Sequence, residues 1–552
     1  MNYIDLIERV LEAYTTDHIR RYTDSVKQNG IEEHGFPRLT ANIGILIAHG
    51  KKTELKADFE EMMDICCNTM ADVKEKNGNR VGNDFSVKEI VFCLLEIEKS
   101  GVFEKEVTDR WRAGLARIEP MSTYSVIAEV PPKRIGNWAA FAAASEQARR
   151  YAGIGSEDFF INNQIESQLF SFDENGMYRD PNEPMVYDFV TRLQLAVALF
   201  FGYDGACRIQ LEDFLMKSAD ITLKMQSVTG EIPFGGRSNQ FLHNESFFAA
   251  LCEFYASWFN RLGDKKRAGM FKNAARLAVE SILPWLSEQK IRHIKNYYPT
   301  DSMYGCEDYA YFDKYMVTTG SWLYLAHVMS DDSIEELPCP AANENYICKT
   351  SDYFHKVFCK FGDYALEFDT RADRHYDGTG LGRIQKRGVY PALCMSTSFP
   401  PTPANYSLDI ENPSPFSICG GIQINGEFAY SRDAEYILTE EIVTDEFVQV
   451  KFQCVFENGI SLWETYRVKS DEIEITVEGD GEVQITFPVF EFDGITHTDI
   501  SESEKSVTVD YKGHKCHFTT DDSIINLGKT YANRNGHYKA FAVQGEKLSI
   551  KM

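Results

Sequence analysis

The sequence contains no long apolar run and no regular cysteine spacing, and each absence excludes a class of protein. No stretch approaches the about 18 uninterrupted apolar residues of a membrane-spanning helix. The N-terminal segment MNYIDLIERVLEAYTTDHIRRY lacks the basic start and the apolar core of a signal peptide. The 13 cysteines are scattered, without the paired spacing of a disulfide framework. We therefore expect a cytoplasmic protein with free thiols that neither spans nor binds a membrane.

The sequence also lacks the short motifs that hold metal ions and phosphate groups. It contains neither a His-x-x-x-His pair nor a Cys-x-x-Cys pair. The stretch GTGLGR matches a nucleotide-binding loop only in part, and it lies in a region with β periodicity. We therefore predict no metal site and no cofactor.

Positive charge is scarce as well. The 57 Lys and Arg residues stand against 83 Asp and Glu residues, which gives a net charge of −26. A field of that sign opposes binding to nucleic acid or to an anionic membrane surface. A small anionic ligand remains compatible, because a local cluster of Arg and His can outweigh the global field at short range.

Apolar residues recur at helical spacing from Tyr3 to about Met329. Phe247, Leu251 and Tyr255, for example, stand at positions i, i+4 and i+8, which share one face of a helix. Loops rich in Gly, Pro, Asn and Asp divide this half into roughly a dozen helices. Long loops between so many helices favour an array of helical hairpins over a four-helix bundle.

The period changes beyond the acidic stretch DDSIEELPCPAANEN. Segments such as FVQVKFQCVF, ISLWETYRV and EIEITVEG alternate apolar and polar residues and are separated by turn residues. This pattern is typical of an antiparallel β-sandwich. The sequence therefore predicts an α+β multidomain protein, with a helical catalytic domain over residues 1–335 and a β-sandwich domain over residues 346–552.

Polar and aromatic residues are concentrated in four loops of the helical half. In the first, Asn137 and Trp138 open a helix after a glycine. Asn137 either caps this helix or contacts a substrate carboxylate. Trp138 either packs in the core or forms a platform for a sugar ring.

The second loop, MYRDPNEPMVYDFVTR, gathers ionisable and aromatic groups around two prolines. Asp188 and Arg192 stand four residues apart, which is the spacing of a helix salt bridge. A bridge would account for that pair but not for the density of other polar groups. The site residues that we predict from this loop are Tyr178, Arg179, Tyr187 and Asp188.

The third loop, GEIPFGGRSNQFLHNESFF, has a double glycine followed by a dense polar cluster. If a helix begins near Ser238, Asn239 and His243 share one of its faces. Clusters of this kind are where pKa values are tuned for chemistry. The candidates from this loop are Arg237, Asn239, Gln240, His243 and Glu245.

The fourth loop, NYYPTDSMYGCEDYAYFDKY, is rich in tyrosine beside Glu307. Many of its rings must pack in the core, but Tyr304 or Tyr309 could supply a phenolic acid or base. In the β half, the segment DTRADRHYDGTGLGRIQKRGVYP is locally basic. It is either a solvated hairpin or a loop that reaches over the helical half and holds a carboxylate through Arg374 and His375.

These loops and the β half that follows them resemble a known group of carbohydrate enzymes. The GNW, YRDP…YD and GRS…H segments before antiparallel strands are similar to alginate lyase-like and heparinase II/III-like polysaccharide lyases. β-Glucuronidases of similar architecture belong beside them. The resemblance implies an N-terminal (α/α) toroid, either incomplete or a six-hairpin barrel, before the β-sandwich. It also implies an enzyme that cleaves acidic, uronate-containing oligosaccharides.

The resemblance to the lyases implies roles for particular residues. An Asn and a His of these enzymes neutralise the uronate carboxylate, a Tyr or His removes the C5 proton, and a Tyr protonates the departing oxygen. The neutralising residues would be Asn137, Asn239 and His243, and the acid or base would be Tyr304, Tyr309 or Tyr311. A nearby cation such as Arg237 would be needed to bring the tyrosine pKa down from about 10.

Two alternatives stay open beside β-elimination. A glucuronidase-type hydrolase would need two carboxylates, about 5–5.5 Å apart for retention or about 6.5–9.5 Å for inversion. Its candidates are Asp188, Glu245 and Glu307. A non-catalytic glycan-binding protein is the second alternative, although binding alone rarely requires so many ionisable groups. The sequence is compatible with a homo-oligomer.

Overall fold

The structure is a computed structural model that describes residues 2–72, 74–76, 79–81, 85–124 and 131–552. Its helices precede its large sheets along the chain. The helices are α1 (Tyr3–Leu11), α2 (Thr16–Asn29), α3 (Gly35–Ala48), α4 (Lys56–Thr69), α5 (Val87–Ser100), α6 (Lys105–Leu115), α7 (Pro120–Thr123), α8 (Asn137–Tyr151), α9 (Asp158–Glu166), α10 (Met185–Phe200), α11 (Arg208–Met225), α12 (Leu242–Arg261), α13 (Lys265–Ser287), α14 (Phe312–Met329) and α15 (Pro340–Asn343). Within the described ranges, no helix combines the length and the apolarity that crossing a bilayer requires.

Six of these helices form a closed inner ring. Each of α3, α5, α8, α10, α12 and α14 packs against the next, and α14 packs back against α3. Other helices lie against the outside of this ring, such as α1 on α14, α9 on α8 and α13 on α12. The helical half is therefore an (α/α) toroid whose inner ring is complete.

The inner helices are buried around most of their circumference, because they face both the ring interior and the outer helices. Phe247, Leu251 and Tyr255 of α12 are fully buried, as their spacing predicts. At the point where the ring closes, the backbone of α14 lies against the Asn42 side chain of α3. A β-carbon on Gly320 would lie 2.6 Å from Nδ2 of Asn42, and that amide donates to the Val317 carbonyl at 2.8 Å.

The second half is built from antiparallel strands. A small hairpin, β1 (Lys74–Lys76) and β2 (Asn79–Val81), lies apart within the helical half. The strands of the second half are β3 (Tyr346–Lys349), β4 (Lys356–Phe361), β5 (Tyr364–Asp369), β6 (Gly380–Lys386), β7 (Cys419–Ile424), β8 (Glu427–Tyr430), β9 (Glu435–Val443), β10 (Val448–Val455), β11 (Ser461–Val468), β12 (Ile473–Gly479), β13 (Val483–Phe492), β14 (Asp499–Glu502), β15 (Ser506–Tyr511), β16 (His514–Thr519), β17 (Ser523–Asn533), β18 (Gly536–Gln544) and β19 (Lys547–Lys551).

Three sheets share one apolar core in this half. They have four strands (β3-β4-β5-β6), five strands (β17-β18-β13-β7-β8) and eight strands (β14-β15-β16-β19-β12-β11-β10-β9). Phe487 of β13 stacks on Phe518 of β16 at 4.8 Å between ring centroids, so the five- and eight-stranded sheets pack through their apolar faces. The predicted fold class, a helical toroid followed by an antiparallel β-sandwich, is confirmed. Since α14 ends at Met329 and β3 begins at Tyr346, we propose the domain bounds 1–335 and 346–552.

The β half contacts the helical half through buried polar and apolar groups. Arg534, in the turn between β17 and β18, donates to the two carboxylate oxygens of Glu307 at 2.7 and 3.2 Å. The backbone N–H of Phe234 donates to Glu367 of β5 at 3.3 Å. Gly382 of β6 lies under the Phe234 ring, where a β-carbon would come within 2.2 Å of a ring carbon. These contacts hold the segment that leads into α12.

Candidate active site

A cavity of about 400 Å³ lies where the N-terminal ends of the six inner helices converge. We call it the mouth cavity. Each inner helix supplies lining residues from its first turns or from the residues just before it. They include His34 before α3, Phe85 before α5, Asn137 of α8, Tyr187 of α10, His243 of α12 and Tyr315 of α14. Because helix N-termini carry partial positive charge and free N–H groups, this arrangement favours an anionic ligand.

Cationic side chains add to that field. Arg38, Arg237 and Lys314 line the mouth cavity. Arg38 is buried, lies 3.3 Å from Glu89 and has its guanidinium 5.2 Å from the centre of the Trp322 ring. Among the described residues that line the cavity, none is Asp or Glu. A ligand carboxylate would therefore meet cations and amides without an opposing carboxylate in the described wall.

Three tyrosine hydroxyls surround the side chain of Ser238. Its hydroxyl lies 3.0 Å from that of Tyr309, 3.3 Å from that of Tyr187 and 3.5 Å from that of Tyr315. Burial, and secondarily the neighbouring Tyr187, raises the pKa of both Tyr309 and Tyr315. These phenols are therefore protonated at neutral pH and are available as proton donors.

The backbone around Ser238 adopts an unusual conformation that other residues stabilise. Gly235, Gly236 and Ser238 have φ values of 133°, 76° and 59°, and such positive values are uncommon for a residue with a side chain. The N–H of Gly236 donates to Asp377 of the β half at 2.9 Å, and the N–H of Ser238 donates to Glu307 at 2.5 Å. The double glycine thus permits a turn that presents Ser238 to the three phenols.

His243 lies in the first turn of α12 and is almost wholly buried. It stacks on Phe241 at 5.5 Å and meets the edge of Tyr315 at 4.6 Å between ring centroids. Its Nδ1 has no hydrogen-bond partner among the described residues. Burial, together with the charge of Arg38, lowers the pKa of His243 well below 6.5, so the imidazole is neutral and able to accept a proton.

A second neutral imidazole, His34, faces the same cavity. Burial and the Arg38 charge lower the pKa of His34 as well, and its Nε2 has no partner among the described residues. The Asn137 amide donates to Asp180 at 3.0 Å, and Arg237 forms an ion pair with the same carboxylate. Asp180 therefore orients an amide and a guanidinium that both line the cavity.

Six of the residues predicted from the sequence line the mouth cavity. They are Asn137, Trp138, Tyr187, Arg237, His243 and Tyr309. They come from all four polar loops of the helical half, which the inner ring brings to one end. Glu307, from the fourth loop, lies directly behind Ser238 and is paired with Arg534.

Asp188 and Glu245 lie in the core and are engaged in ion pairs. Asp188 forms a bidentate pair with Arg192 at 2.6 and 2.8 Å and accepts the Tyr178 N–H at 2.7 Å. Glu245 lies 2.7 Å from the ammonium group of Lys295. Both carboxylates are buried and neither lines the mouth cavity. Asp188 thus forms the helix salt bridge that its spacing from Arg192 allowed.

The remaining candidates from the second and fourth loops also lie outside the cavity. The Tyr178 hydroxyl is buried and donates to Gln168 at 2.5 Å. Arg179 donates to backbone carbonyls of residues 170 and 171, and Tyr304 packs its ring against Tyr298 at 5.3 Å. Tyr311 immediately precedes α14 and is partly exposed. These side chains position their loops.

Helix α12 begins at Leu242, not near Ser238, so Asn239 and His243 do not share a helical face. Asn239 donates to the Pro233 carbonyl at 3.1 Å, and Gln240 turns towards Asn535 of the β half, 3.2 Å away. The two positive-φ residues Ser238 and Gln240 make the segment before α12 an irregular turn. Both amides therefore hold this turn together.

The basic segment of the β half does not line the mouth cavity through its cations. Arg374 forms an exposed ion pair with Asp433, and His375 lies 2.9 Å from the Thr402 carbonyl. The same segment instead sends Asp377 to the N–H of Gly236. It reaches the third loop through the Asp377 carboxylate and through the Arg383 guanidinium, which donates to the Ile232 carbonyl at 2.7 Å.

Sequence reasoning missed several residues of the cavity. They are His34, Arg38, Phe85, Ser238, Lys314, Tyr315 and Trp322. The segment HGFPR, with a proline in the first turn of α3, carried a helix-start signal like those of the other polar loops. Within the described residues, no group of His, Cys, Asp and Glu is arranged to hold a metal ion.

No family model and no curated protein matches the chain. Solved structures similar to it include heparinase III, at 8% identity over 90% of this chain and 73% of that one, with a TM-score of 0.47. A Paenibacillus xanthan lyase shows 8% identity over 94% of this chain and 53% of that one, also with a TM-score of 0.47. Chondroitin AC lyase from Streptomyces coelicolor A3 shows 11% identity over 100% and 82%, with the same score. Heparinases were among the enzymes that the sequence resembles.

Proposed function

We propose that the chain is a lyase that cleaves uronate-containing oligosaccharides by β-elimination in the mouth cavity. The observation that carries this proposal is the composition of the cavity wall. Six helix N-termini and three cations face the space, together with neutral imidazoles and protonated phenols, and the described lining has no carboxylate. That wall suits an acidic sugar and proton transfer.

The proposed reaction assigns a part to each group. Asn137, Arg237 and Lys314 hold the uronate carboxylate, which makes the C5 proton more acidic because the developing charge is stabilised. The neutral imidazole of His243 removes that proton. The C4–O bond breaks, a C4=C5 double bond forms, and Tyr309 gives its proton to the departing oxygen.

The pKa directions are compatible with these acid and base roles, because they set the resting protonation state that each role requires. A base must be deprotonated at working pH, and burial lowers the pKa of His243 well below 6.5. An acid must be protonated, and burial raises the pKa of Tyr309. Ser238, in contact with three phenols, offers a route by which Tyr187 or Tyr315 can restore the proton on Tyr309.

Hydrolysis with paired carboxylates is less well supported by this geometry. Retention and inversion both require two carboxyl groups that flank the scissile bond. Asp188 and Glu245 are held in buried ion pairs with Arg192 and Lys295. Glu307 is paired with Arg534 and accepts the Ser238 N–H.

The setting that we propose is the cytoplasm. All 13 cysteines are free, and all except Cys348 are buried. Free thiols in such number suit a reducing compartment.

A substrate panel tests the proposed function. Uronate oligosaccharides of different linkage are incubated with the protein while ultraviolet absorbance and reducing ends are recorded together. We expect both signals to rise in step for at least one substrate, because elimination creates an unsaturated product. Tyr309→Phe should abolish both signals, whereas Tyr178→Phe, which removes a buried hydroxyl outside the cavity, should keep them. Reducing ends without absorbance would overturn the lyase assignment.

A further inference from the structure

A second cavity, of about 410 Å³, lies between the helical and β halves, and we call it the side cavity. The segment from Ser238 to His243 separates it from the mouth cavity, because Ser238 and His243 line the mouth cavity while Gln240 lines the side cavity. Its walls come from α13, from the loops around Glu231 and Lys295, and from residues 387–396 and Asn535 of the β half. The volume is typical of small-molecule sites.

Two buried polar atoms in the wall lack partners. Ser396 is 1% exposed and Asn535 is 3% exposed, and both line the side cavity. The Ser396 hydroxyl and the Asn535 Oδ1 form no hydrogen bond with any described residue. The Asn535 amide nitrogen is already used, since it donates to Gln240 and to the Lys295 carbonyl at 3.2 and 3.0 Å. An unpaired buried acceptor is costly, so these atoms call for a ligand that donates hydrogen bonds.

Helix α13 adds a further acceptor to the same wall. Its cavity-facing residues recur at helical spacing and include Glu280, Ser281, Pro284 and Trp285. Pro284 lies inside the helix and has no N–H to give to the carbonyl of Glu280, four residues earlier. A ligand hydroxyl can make that bond instead.

The lining of the side cavity also contains aromatic rings. Trp285, Tyr297 and Tyr390 lie close together, with Trp285 at 5.0 Å from Tyr297 and 6.4 Å from Tyr390 between ring centroids. Ring faces of this kind pack against the C–H groups of a sugar. A lining that combines hydrogen-bond acceptors with aromatic rings matches a ring that carries hydroxyl groups.

The charged groups of the side cavity are already compensated. The ammonium of Lys295 lies 2.7 Å from both Glu231 and Glu245. The guanidinium of Arg387 donates to Asp363 and to the carbonyls of residues 341 and 342. No cation of this wall, among the described residues, is left to hold an anion. The wall also contains the carboxylates of Glu231 and Glu280, whereas no described Asp or Glu lines the mouth cavity.

We propose that the side cavity is a binding site for a neutral sugar ring. The site is separate from the mouth cavity, and its occupancy does not depend on the proposed elimination. The ring packs on Trp285 and Tyr297, and its hydroxyls donate to Asn535, to the Glu280 carbonyl and to Ser396. Because the site lies against the other side of the segment 238–243, a bound sugar also contacts the residues that position Ser238 and His243.

The test measures binding to the intact protein without any turnover. Methyl β-glucopyranoside, methyl β-galactopyranoside and N-acetylglucosamine are titrated separately in saturation-transfer NMR, with sodium glucuronate as the anionic comparison. At least one neutral sugar should bind saturably. Ser396→Ala should weaken it about fivefold, as expected for one hydrogen bond. Trp285→Leu should weaken it by up to about tenfold.

The controls separate this site from the catalytic proposal. Ser145→Ala removes another buried hydroxyl without a described partner, on α8 and outside both cavities, and should leave the affinity unchanged. His243→Gln should also leave neutral-sugar binding unchanged, even where turnover is lost. The proposal is overturned if none of the three sugars binds, if Ser396→Ala and Trp285→Leu bind as the wild type does, or if Ser145→Ala weakens binding equally.

Discussion

The His243 imidazole is the side chain on which the proposed elimination depends most. His243→Gln keeps most of the volume but cannot act as a base, so kcat should fall by about 10²–10⁴-fold. The melting temperature should stay within a few degrees, as for a change of about 1 kcal/mol, because Nδ1 makes no hydrogen bond with a described residue. Steady-state kinetics measures the fall in kcat, and thermal melting measures the change in melting temperature.

Glu245→Gln is the comparison, because this variant should lose stability but keep its turnover. Glu245 lies in the buried ion pair with Lys295, so the variant should lower the free energy of unfolding by about 1–3 kcal/mol. The folded fraction should keep its turnover, because Glu245 lies outside the mouth cavity. Full turnover in His243→Gln, or loss of turnover in a folded Glu245→Gln, would contradict the site assignment.

His293 should make the stability of the fold depend on pH. Burial lowers the pKa of His293 to about 4, whereas the unfolded chain titrates near about 6.5. The unfolded state then binds more protons between these values, so the free energy of unfolding should fall as the pH drops from about 6.5 to about 4. The contribution of this one group is on the order of 3 kcal/mol.

Urea unfolding at several pH values measures that slope. In His293→Gln the free energy of unfolding should fall less over this pH range, because one group fewer binds a proton on unfolding. The exposed His497 supplies the control, and His497→Gln should keep the wild-type slope. Equal slopes in His293→Gln and the wild type would show that His293 does not carry the effect.

Closure of the inner ring is a property of the elements α3 and α14. A β-carbon on Gly320 would lie 2.6 Å from the Asn42 amide, so Gly320→Ala should cost about 1–3 kcal/mol through overpacking. Asn42→Ala alone should also destabilise, since it loses the bond to the Val317 carbonyl. The double variant should cost less than the sum, because removing the amide makes room for the methyl group.

Denaturant unfolding of the four proteins gives this coupling directly. A coupling free energy of more than about 0.5 kcal/mol, the usual limit of additivity for distant sites, is expected. Strict additivity would mean that the two helices do not meet at these residues.

The helices and strands differ in how far the sequence could predict them. Helix and strand periods follow from local burial, so the order of the two halves could be read from Phe247, Leu251 and Tyr255 and from the alternation of strands such as β11. The start of α12 could not be predicted from the sequence. Ser238 and Gln240 adopt positive φ angles, which contacts from Glu307 and the β half stabilise. Contacts between distant segments cannot be predicted from the local spacing of apolar residues.

At the scale of the whole molecule, the candidate site depends on convergence of distant segments. The polar loops could be found from their composition, and Asn137, Arg237 and His243 line one cavity. Arg38 escaped notice because it lies within an apolar helical stretch whose pattern indicates core, and the spacing of the fourth loop did not single out Tyr315 from its other tyrosines. Only the closed ring shows that all six N-terminal ends face the same space.

Arg534 links the β half to this space. Arg534→Met would leave the buried carboxylate of Glu307 without its cation, which should cost about 3–5 kcal/mol of unfolding free energy. Turnover should fall as well, because Glu307 holds the Ser238 N–H. Adding Glu307→Gln should restore part of the stability, since the buried charge is then gone. A double variant no more stable than Arg534→Met would contradict this arrangement.

The masses of the products distinguish β-elimination from hydrolysis. An oligosaccharide substrate from the panel is digested to completion, and the masses of both fragments are measured by mass spectrometry. Elimination adds nothing to the substrate, so the two fragment masses should sum to the substrate mass. A sum larger by one molecule of water would mean hydrolysis, and the β-elimination proposed for His243 and Tyr309 would then be wrong.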